Sequence, residues 1–346
     1  MKLQQENTQP ATDLPPQKAI LQMATSYWVS QSIYIAAKLG IADLLKSGSK
    51  SCEELASSVG VNARLLYRLM RALASVGVFA EKEQGCFTLT PFAACLQSDV
   101  PGSMRALVIM CGEEHYQAWG DILYSLQTGG SAFEHLYGMP LFQYYAQNPE
   151  SRKIFDEAMT GHTSIENADI TASYDFSGLH KLVDVGGGQG NLIASILKAN
   201  PKMQGILFDL PSVIEGAKNF VEAEGVSQSC ELVGGDFFES VPSGGDAYML
   251  KRVIHNWDDK SVLTILKNCH HAMVENGKLL VVEEVIPPGN EPCFGKFMDL
   301  TMMVMFPGAR ECTEPEYRAL FEASGFKLTK IVPTRGDVSL IEGIRV

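Results

Sequence analysis

Residues Val183 to Gly190 read as a short apolar strand running into a glycine-rich turn, with a helical pattern over Leu192 to Ala199 behind it. Glycine lets a chain turn tightly and brings its backbone close to a ligand. Acids recur at matching places along the chain: Asp184 before the turn, Asp209 at the end of the next apolar run, and Asp236 after the third. A fourth apolar run, Ala247–Leu250, leads into Lys251-Arg252-Val253-Ile254-His255-Asn256. A glycine turn flanked by acids can hold a cofactor that carries hydroxyls and positive charge. An imidazole, with its ordinary pKa of ~6.5, can take a proton near neutrality.

The spacing narrows the cofactor. A dinucleotide fingerprint requires G-x-G-x-x-G, because the pyrophosphate must reach the helix N–H groups. Gly186 and Gly188 match it, but the third position is Asn191. The glycines follow G-x-G-x-G instead, which is the pattern for S-adenosyl-L-methionine. Asp184 either holds the turn or faces the cationic end of that cofactor. Asp209, in Phe208-Asp209-Leu210-Pro211, suits the two ribose hydroxyls, with a helix N-cap as the alternative. In Gly234-Gly235-Asp236-Phe237, Asp236 suits the adenine amino group and Phe237 the ring face. Leu210 and Gly235 flank these contacts. Methyl transfer from a sulfonium is an in-line displacement, so the protein must align the acceptor and remove its proton. A phenol, at ~10, is mostly protonated at neutral pH, and His255 is a suitable general base.

These residues need a sheet edge to converge on. From Lys181 onward, strand-length apolar runs alternate with helical stretches: Leu182–Val185, Gly205–Leu210, Glu231–Val233, Ala247–Leu250 and Leu279–Val285. That alternation implies parallel strands joined by helical crossovers. Two further runs, Phe326–Val332 and Val338–Ile344, are separated by too short a link for anything but an antiparallel pair. The expected fold is α/β: a seven-stranded, doubly wound, Rossmann-like sheet with one reversed strand near its edge.

The 346 residues suffice for two domains. Residues 1–17, polar and with three prolines, read as a disordered tail. Residues 18–100 read as an α-helical winged-helix dimerisation domain. Ser51 and Glu54 form a capping-box match, Gly60 ends that helix, and Asn62 can cap the next, whose Leu65, Leu66, Leu69, Leu73 and Val76 are expected on one face. A short hairpin follows. Residues 101–175 read as a helical connector rich in aromatics, including Tyr116, Trp119, Phe133 and Phe155, that contributes to an acceptor pocket. Residues 176–346 form the cofactor domain. The winged-helix pattern could also mean DNA binding, but a net charge of -12 opposes a phosphate partner. No apolar run approaches the ~20 residues of a membrane span. The eight cysteines form no CxxC pair and no zinc-like spacing with histidine. The expected location is the cytoplasm, with neither nucleic acid nor membrane as partner and no bound metal.

The combination VDVGGGQG at 183–190, FDLP at 208–211, GGDFF at 234–238, RVIHNWDD at 252–259 and RECTEPEYRALFEASGF at 310–326 resembles the S-adenosylmethionine-dependent O-methyltransferases of the caffeic acid and acetylserotonin type, including their bacterial tailoring branch. The resemblance covers about residues 20–346. It implies a homodimer formed through the N-terminal module and a small, hydroxylated, aromatic acceptor. It implies cofactor contacts at Gly187, Asp209, Asp236 and Phe237, with Lys251 or Arg252 nearby. His255 falls on the family's base, and Glu283 and Glu311 on the two acids that flank and orient it. Met159 and His162, in FDEAMTGH, match acceptor-pocket positions, and Met302 lies near another pocket wall. Asn256, beside the base, stands where many members carry Asp.

Overall fold

The computed structural model describes residues 14–346, apart from the side chains of residues 162–165. Of the tail expected over residues 1–17, residues 1–13 lie outside the described residues, and a helix begins at Pro16. The described chain divides into two compact units, one ending at Val100 and the other beginning at Pro101.

In the first unit, Ser51 accepts from Glu54 N at 3.2 Å while Glu54 accepts from Ser51 N at 2.7 Å, so the capping box starts the helix Cys52–Val59. Asn62 caps Ala63–Ser75 through Leu65 N at 3.1 Å. The buried stripe of that second helix is Leu66, Met70 and Leu73, whereas Leu65 and Val76 are 57% and 49% exposed. Leu66 and Leu73 lie on the buried face as expected, but Leu65 and Val76 do not, and Met70 completes the stripe: a buried stripe follows steps of three and four residues, which Leu66, Met70 and Leu73 satisfy toward the core. Three short strands, β1 (Lys50–Ser51), β2 (Phe79–Glu83) and β3 (Cys86–Leu89), pair in the order β1-β3-β2.

The second unit carries the seven-stranded sheet: β4 (Lys181–Val185), β5 (Gln204–Asp209), β6 (Cys230–Gly234), β7 (Ala247–Lys251), β8 (Lys278–Glu283), β9 (Phe326–Pro333) and β10 (Ser339–Arg345). Its order is β6-β5-β4-β7-β8-β10-β9. All neighbours from β6 to β8 pair in parallel, and β10 runs antiparallel to both β8 and β9. β8 ends at Glu283, short of the expected Val285, which instead bridges to Cys312.

Parallel strands covered by helices on both sides must be apolar on both faces. Tyr248 and Leu250 of β7 therefore enter one core, and Ala247 and Met249 enter the other. Burial of each such large side chain stabilises the fold by roughly 1.5–3 kcal/mol. The chain winds outward from β4 through β5 to β6, then returns to lay β7 on the other side of β4. That reversal opens a crevice beyond the carboxyl ends of β4 and β7, where open α/β sheets bind ligands.

Candidate active site

The cofactor end of the crevice is made largely of backbone. Gly186 N donates to Phe208 O at 2.8 Å, and Gly188 N donates to Asp209 Oδ2 at 2.9 Å. Asp209 Oδ1 accepts from Leu210 N at 2.7 Å. One carboxylate thus ties the glycine turn to the loop after β5. Burial raises the Asp209 pKa, and the two N–H bonds work against that rise. A Cβ on Gly187 would sit 2.5 Å from Leu207 and 2.6 Å from the Asp184 carboxylate, which closes the position to any side chain. Gly188, at φ +60°, faces open space.

The same turn meets its neighbours through Gly186, whose Cβ would lie 2.9 Å from Val253 and 3.7 Å from the Phe237 ring. Phe237, Phe238 and Trp257 pack edge to face there, with centroids 4.8 to 6.0 Å apart. Gly235 backs onto the Phe208 ring, at 2.6 Å from a would-be Cβ. Asp236 is exposed, and its Oδ1 accepts from Phe238 N at 2.8 Å. Asp184 is only 1% exposed, and its Oδ2 has no hydrogen-bond partner. Burial pushes its carboxyl up to about 7, with Asp209 adding to the rise and Lys251 opposing it. An unpartnered buried oxygen is costly. Together with the open glycine, the exposed Asp236 and the half-exposed Leu210, it fits a ligand bearing amino and hydroxyl donors, as S-adenosylmethionine does.

The other end, beyond β7 and β8, is made of buried ionisable side chains. His255 sits in a single 3-10 turn, Ile254–Asn256, directly after β7 and is 7% exposed. Its Nδ1 lies 2.6 Å from Glu311 Oε1. A carboxylate only accepts, so the Nδ1–H donates and Nε2 is left with its lone pair. Burial lowers the His255 pKa, but the bond to Glu311 and the charge of Glu283 outweigh it and leave the imidazole above its ordinary value. The two acids divide the work. Glu283 Oε1 accepts from Val253 N at 3.0 Å and His255 N at 3.2 Å, so it fixes the backbone of the turn, whereas Glu311 fixes the ring.

Both acids are themselves held, by Tyr317, which lies inside the 310–326 motif without a role expected there, and by Asp299, which lies outside the motifs. Tyr317 OH is shared between Glu283 Oε2 at 3.2 Å and the Glu284 carbonyl at 3.0 Å, and Asp299 Oδ1 accepts from Glu311 N at 2.9 Å. Arg310 N donates to the His255 carbonyl at 3.2 Å. His255, Glu283 and Glu311 offer ligand atoms within 4.8 Å of one another, close enough to hold a metal ion. One oxygen of Glu311 (Oε2) has no hydrogen-bond partner, whereas its other oxygen holds the His255 ring and Glu283 holds the turn backbone.

Between the two ends lie Lys251 and Arg252. Lys251 Nζ is 2.8 Å from Glu166 Oε2, and Arg252 Nη2 is 2.7 Å from Glu166 Oε1. Glu284 approaches Arg252 Nη1 at 3.6 Å. Arg252 adopts φ 53°, a left-handed conformation uncommon outside glycine. Asn256 Nδ2 donates to the Arg252 carbonyl at 3.1 Å, so Asn256, next to His255 and among the acceptor-side residues that the resemblance suggests, braces this turn. Met159, on the long helix Pro149–Ser173, packs against a small cluster of Ala106, Met110 and Ala158. Met302 is buried on the helix Gly295–Met305. The His162 side chain lies outside the described residues.

The fold, the glycine turn and the acids at successive strand ends define a methyltransferase that uses S-adenosylmethionine. Residues 119–327 match the O-methyltransferase domain family and residues 21–99 match the O-methyltransferase dimerisation domain; the chain belongs to this family. A phenazine O-methyltransferase of Lysobacter antibioticus is 47% identical over 329 residues, which are 95% of this chain and 96% of that protein. A phenazine-1-carboxylate N-methyltransferase of Pseudomonas aeruginosa is 32% identical over 334 residues, 96% of this chain and 99% of that one. The crystal structure of LaPhzM superposes with a TM-score of 0.93 at 47% identity, covering 96% of this chain and all of that one. Similar solved structures hold S-adenosylmethionine or S-adenosylhomocysteine. Among the described residues, no helix is long and apolar enough to cross a membrane.

Proposed function

We propose that this enzyme methylates a hydroxyl on a small aromatic acceptor, with His255 Nε2 as the general base. The observation that carries this reading is the His255–Glu311 pair: Nδ1 is pinned at 2.6 Å, so the ring orientation and tautomer are set and Nε2 is presented as an acceptor. When bound, S-adenosylmethionine supplies an electrophilic methyl group on a sulfonium. Asp209 accepts from the ribose hydroxyls, Asp236 from the adenine amino group, and Phe237 and Leu210 cover the base. Gly186, Gly187, Gly188 and Gly235 keep the backbone close, and Asp184 faces the cofactor's amino end. Lys251 and Arg252 border the cofactor.

His255 removes the acceptor's proton as oxygen attacks in line, and Glu311 stabilises the imidazolium that results. A raised imidazole pKa narrows the gap to a phenol at ~10 and makes the transfer easier. Met159, His162 and Met302 line the acceptor side, where polarizable Met side chains pack well on rings. The substrates in the relatives' names, phenazines among them, support a planar ring acceptor. A panel of hydroxylated and amino-substituted rings with labelled cofactor tests the reading. Methylation of oxygen on hydroxylated rings is expected. Methylation confined to ring nitrogen, unaffected by loss of His255, would overturn it.

The enzyme works as a homodimer through its N-terminal unit. Ile20, Leu21, Met23 and Trp28, on the first two helices, are each more than 60% exposed, an apolar surface that a partner would cover. Light scattering on the purified chain should give twice the mass of one chain, and a monomer would contradict it.

A further inference from the structure

The reaction asks this crevice to hold a sulfonium cation before transfer and to let a neutral thioether go afterwards. Yet the loop after β7 places two buried cations, Lys251 and Arg252, at its edge. Their side chains are only 8% and 14% exposed. Lys251 acts electrostatically on Asp184 at the glycine turn, and Arg252 acts on His255, so the pair spans the ground between the cofactor end and the base. Unscreened, they would repel an incoming cation, because like charges interact strongly where water is excluded.

One carboxylate touches both. Glu166, on the long helix Pro149–Ser173, grips Lys251 with one oxygen at 2.8 Å and Arg252 with the other at 2.7 Å, and it is 7% exposed. Burial opposes its ionisation, but Arg252 and Lys251 outweigh that and hold its carboxyl at about 2. Glu166 is therefore charged throughout the neutral pH range. Glu284, the second acid near Arg252, stands further off at 3.6 Å, and burial pushes its carboxyl up to about 7 despite Arg252. Glu166 is the permanent charge in contact with both cations; Glu311 also acts on Arg252 but is bonded to His255. Two further residues of the same helix, Arg152 and Asp156, act electrostatically on Asp209.

We propose that Glu166 shifts the preference toward the sulfonium donor over its thioether product, by offsetting one of the two positive charges that Lys251 and Arg252 place at the edge of the cofactor site. This rests on the S-adenosylmethionine reading above. Glu166 acts through the two cations, so it is a positioning and charge-balancing residue rather than a catalytic one. Its consequence is weaker product inhibition: with Glu166 charged, the cationic donor is repelled less, while the neutral product is little affected.

Calorimetry on the full-length protein tests this with three ligands: S-adenosylmethionine, S-adenosylhomocysteine, and the analogue whose protonated amine replaces the sulfonium. Glu166→Gln keeps the side-chain length and a carbonyl acceptor for Arg252 but removes the charge. Affinity for the two cationic ligands should fall about tenfold relative to the thioether, the order expected for one unit of charge across a partly buried site. Glu166→Asp, which keeps the charge, should restore the wild-type ratio even if all three ligands bind more weakly. An unchanged ratio in Glu166→Gln, with all ligands weakened alike, would overturn the proposal and leave Glu166 as a clasp on its helix. Failure of the wild-type protein to bind either sulfur ligand would instead sink the cofactor reading itself. Should Glu166→Gln fail to fold by circular dichroism, Lys251→Met supplies the converse test: it removes one cation, and the ratio should move toward the sulfonium.

Discussion

The two halves of the crevice are built from different materials. At the cofactor end, beyond β4 to β6, the shape is carried by glycine backbone and by a single carboxylate, Asp209, that fastens two loops. At the other end, beyond β7 and β8, it is carried by buried ionisable side chains, His255, Glu283 and Glu311, with the cluster of Lys251, Arg252 and Glu166 lying between the two ends. The first half selects by space and can be spoiled by one added methyl group. The second works by balanced charge, and is spoiled by removing a proton acceptor or one partner of an ion pair. Substitutions should therefore separate into those that change affinity and those that change rate.

The largest expected effect lies in the charged half. His255→Gln should lower kcat by 10²–10⁴-fold, the usual contribution of a positioned general base, with little change in S-adenosylmethionine affinity by calorimetry. Retention of full turnover would remove the imidazole from the mechanism. The counterpart in the backbone half is Gly187→Ala. Its Cβ would stand 2.5 Å from Leu207 and 2.6 Å from Asp184, so overpacking of about 1–3 kcal/mol is expected, read as weakened cofactor binding and a lower Tm. If Gly187→Ala bound cofactor normally, the turn would have room that its geometry denies.

Smaller effects sharpen the charged half. Burial alone would lower the His255 pKa, and the bond to Glu311 and the charge of Glu283 carry it above its ordinary value. The sign follows: the imidazolium's pairing with Glu311 stabilises the fold fully below the unfolded pKa and is lost as pH rises through the raised folded value. Activity runs the other way, because the base must be unprotonated. Glu311→Gln should thus move the acid limb of the rate profile to lower pH and reduce the maximal rate about tenfold; an unmoved limb would separate Glu311 from the ring. Smallest is Tyr317→Phe. It removes one donor to Glu283 at 3.2 Å and should cost about 1 kcal/mol of stability, seen in denaturant melts, with kcat only modestly reduced. The same hydroxyl also reaches the Glu284 carbonyl at 3.0 Å, and a loss of several kcal/mol would mean that Tyr317 anchors more than these two acceptors.

The same division explains which features are legible in the amino-acid sequence. The glycine turn, the acids after successive strands and the reversed edge pair are local patterns, tied to strand ends by chain order, and they appear where the sequence places them. The capping box at Ser51 is equally local. The phase of the helix Ala63–Ser75 is harder to read because leucines crowd several of its faces, and only packing selects Leu66, Met70 and Leu73. Glu166 is hidden for another reason. It lies 86 residues before Arg252 in the chain, on a helix whose polar residues carry no periodic signal toward the sheet. Tyr317 and Asp299 reach the site the same way, through side-chain bonds to Glu283 and Glu311 that only the folded chain brings together. The differing tasks of those two acids, one on backbone and one on the ring, likewise depend on a turn whose left-handed Arg252 no spacing rule foresees.

The claim at the centre is that His255 takes the proton. It is tested most directly by methyl-transfer rate against pH at saturating S-adenosylmethionine, for the wild-type protein and His255→Gln side by side. The wild type should show an acid limb with its midpoint above the ordinary imidazole value of ~6.5, and the variant should lose that limb and keep only a slow rate that rises as the acceptor ionises near ~10. The same limb, at the same midpoint and height, in both proteins would contradict it.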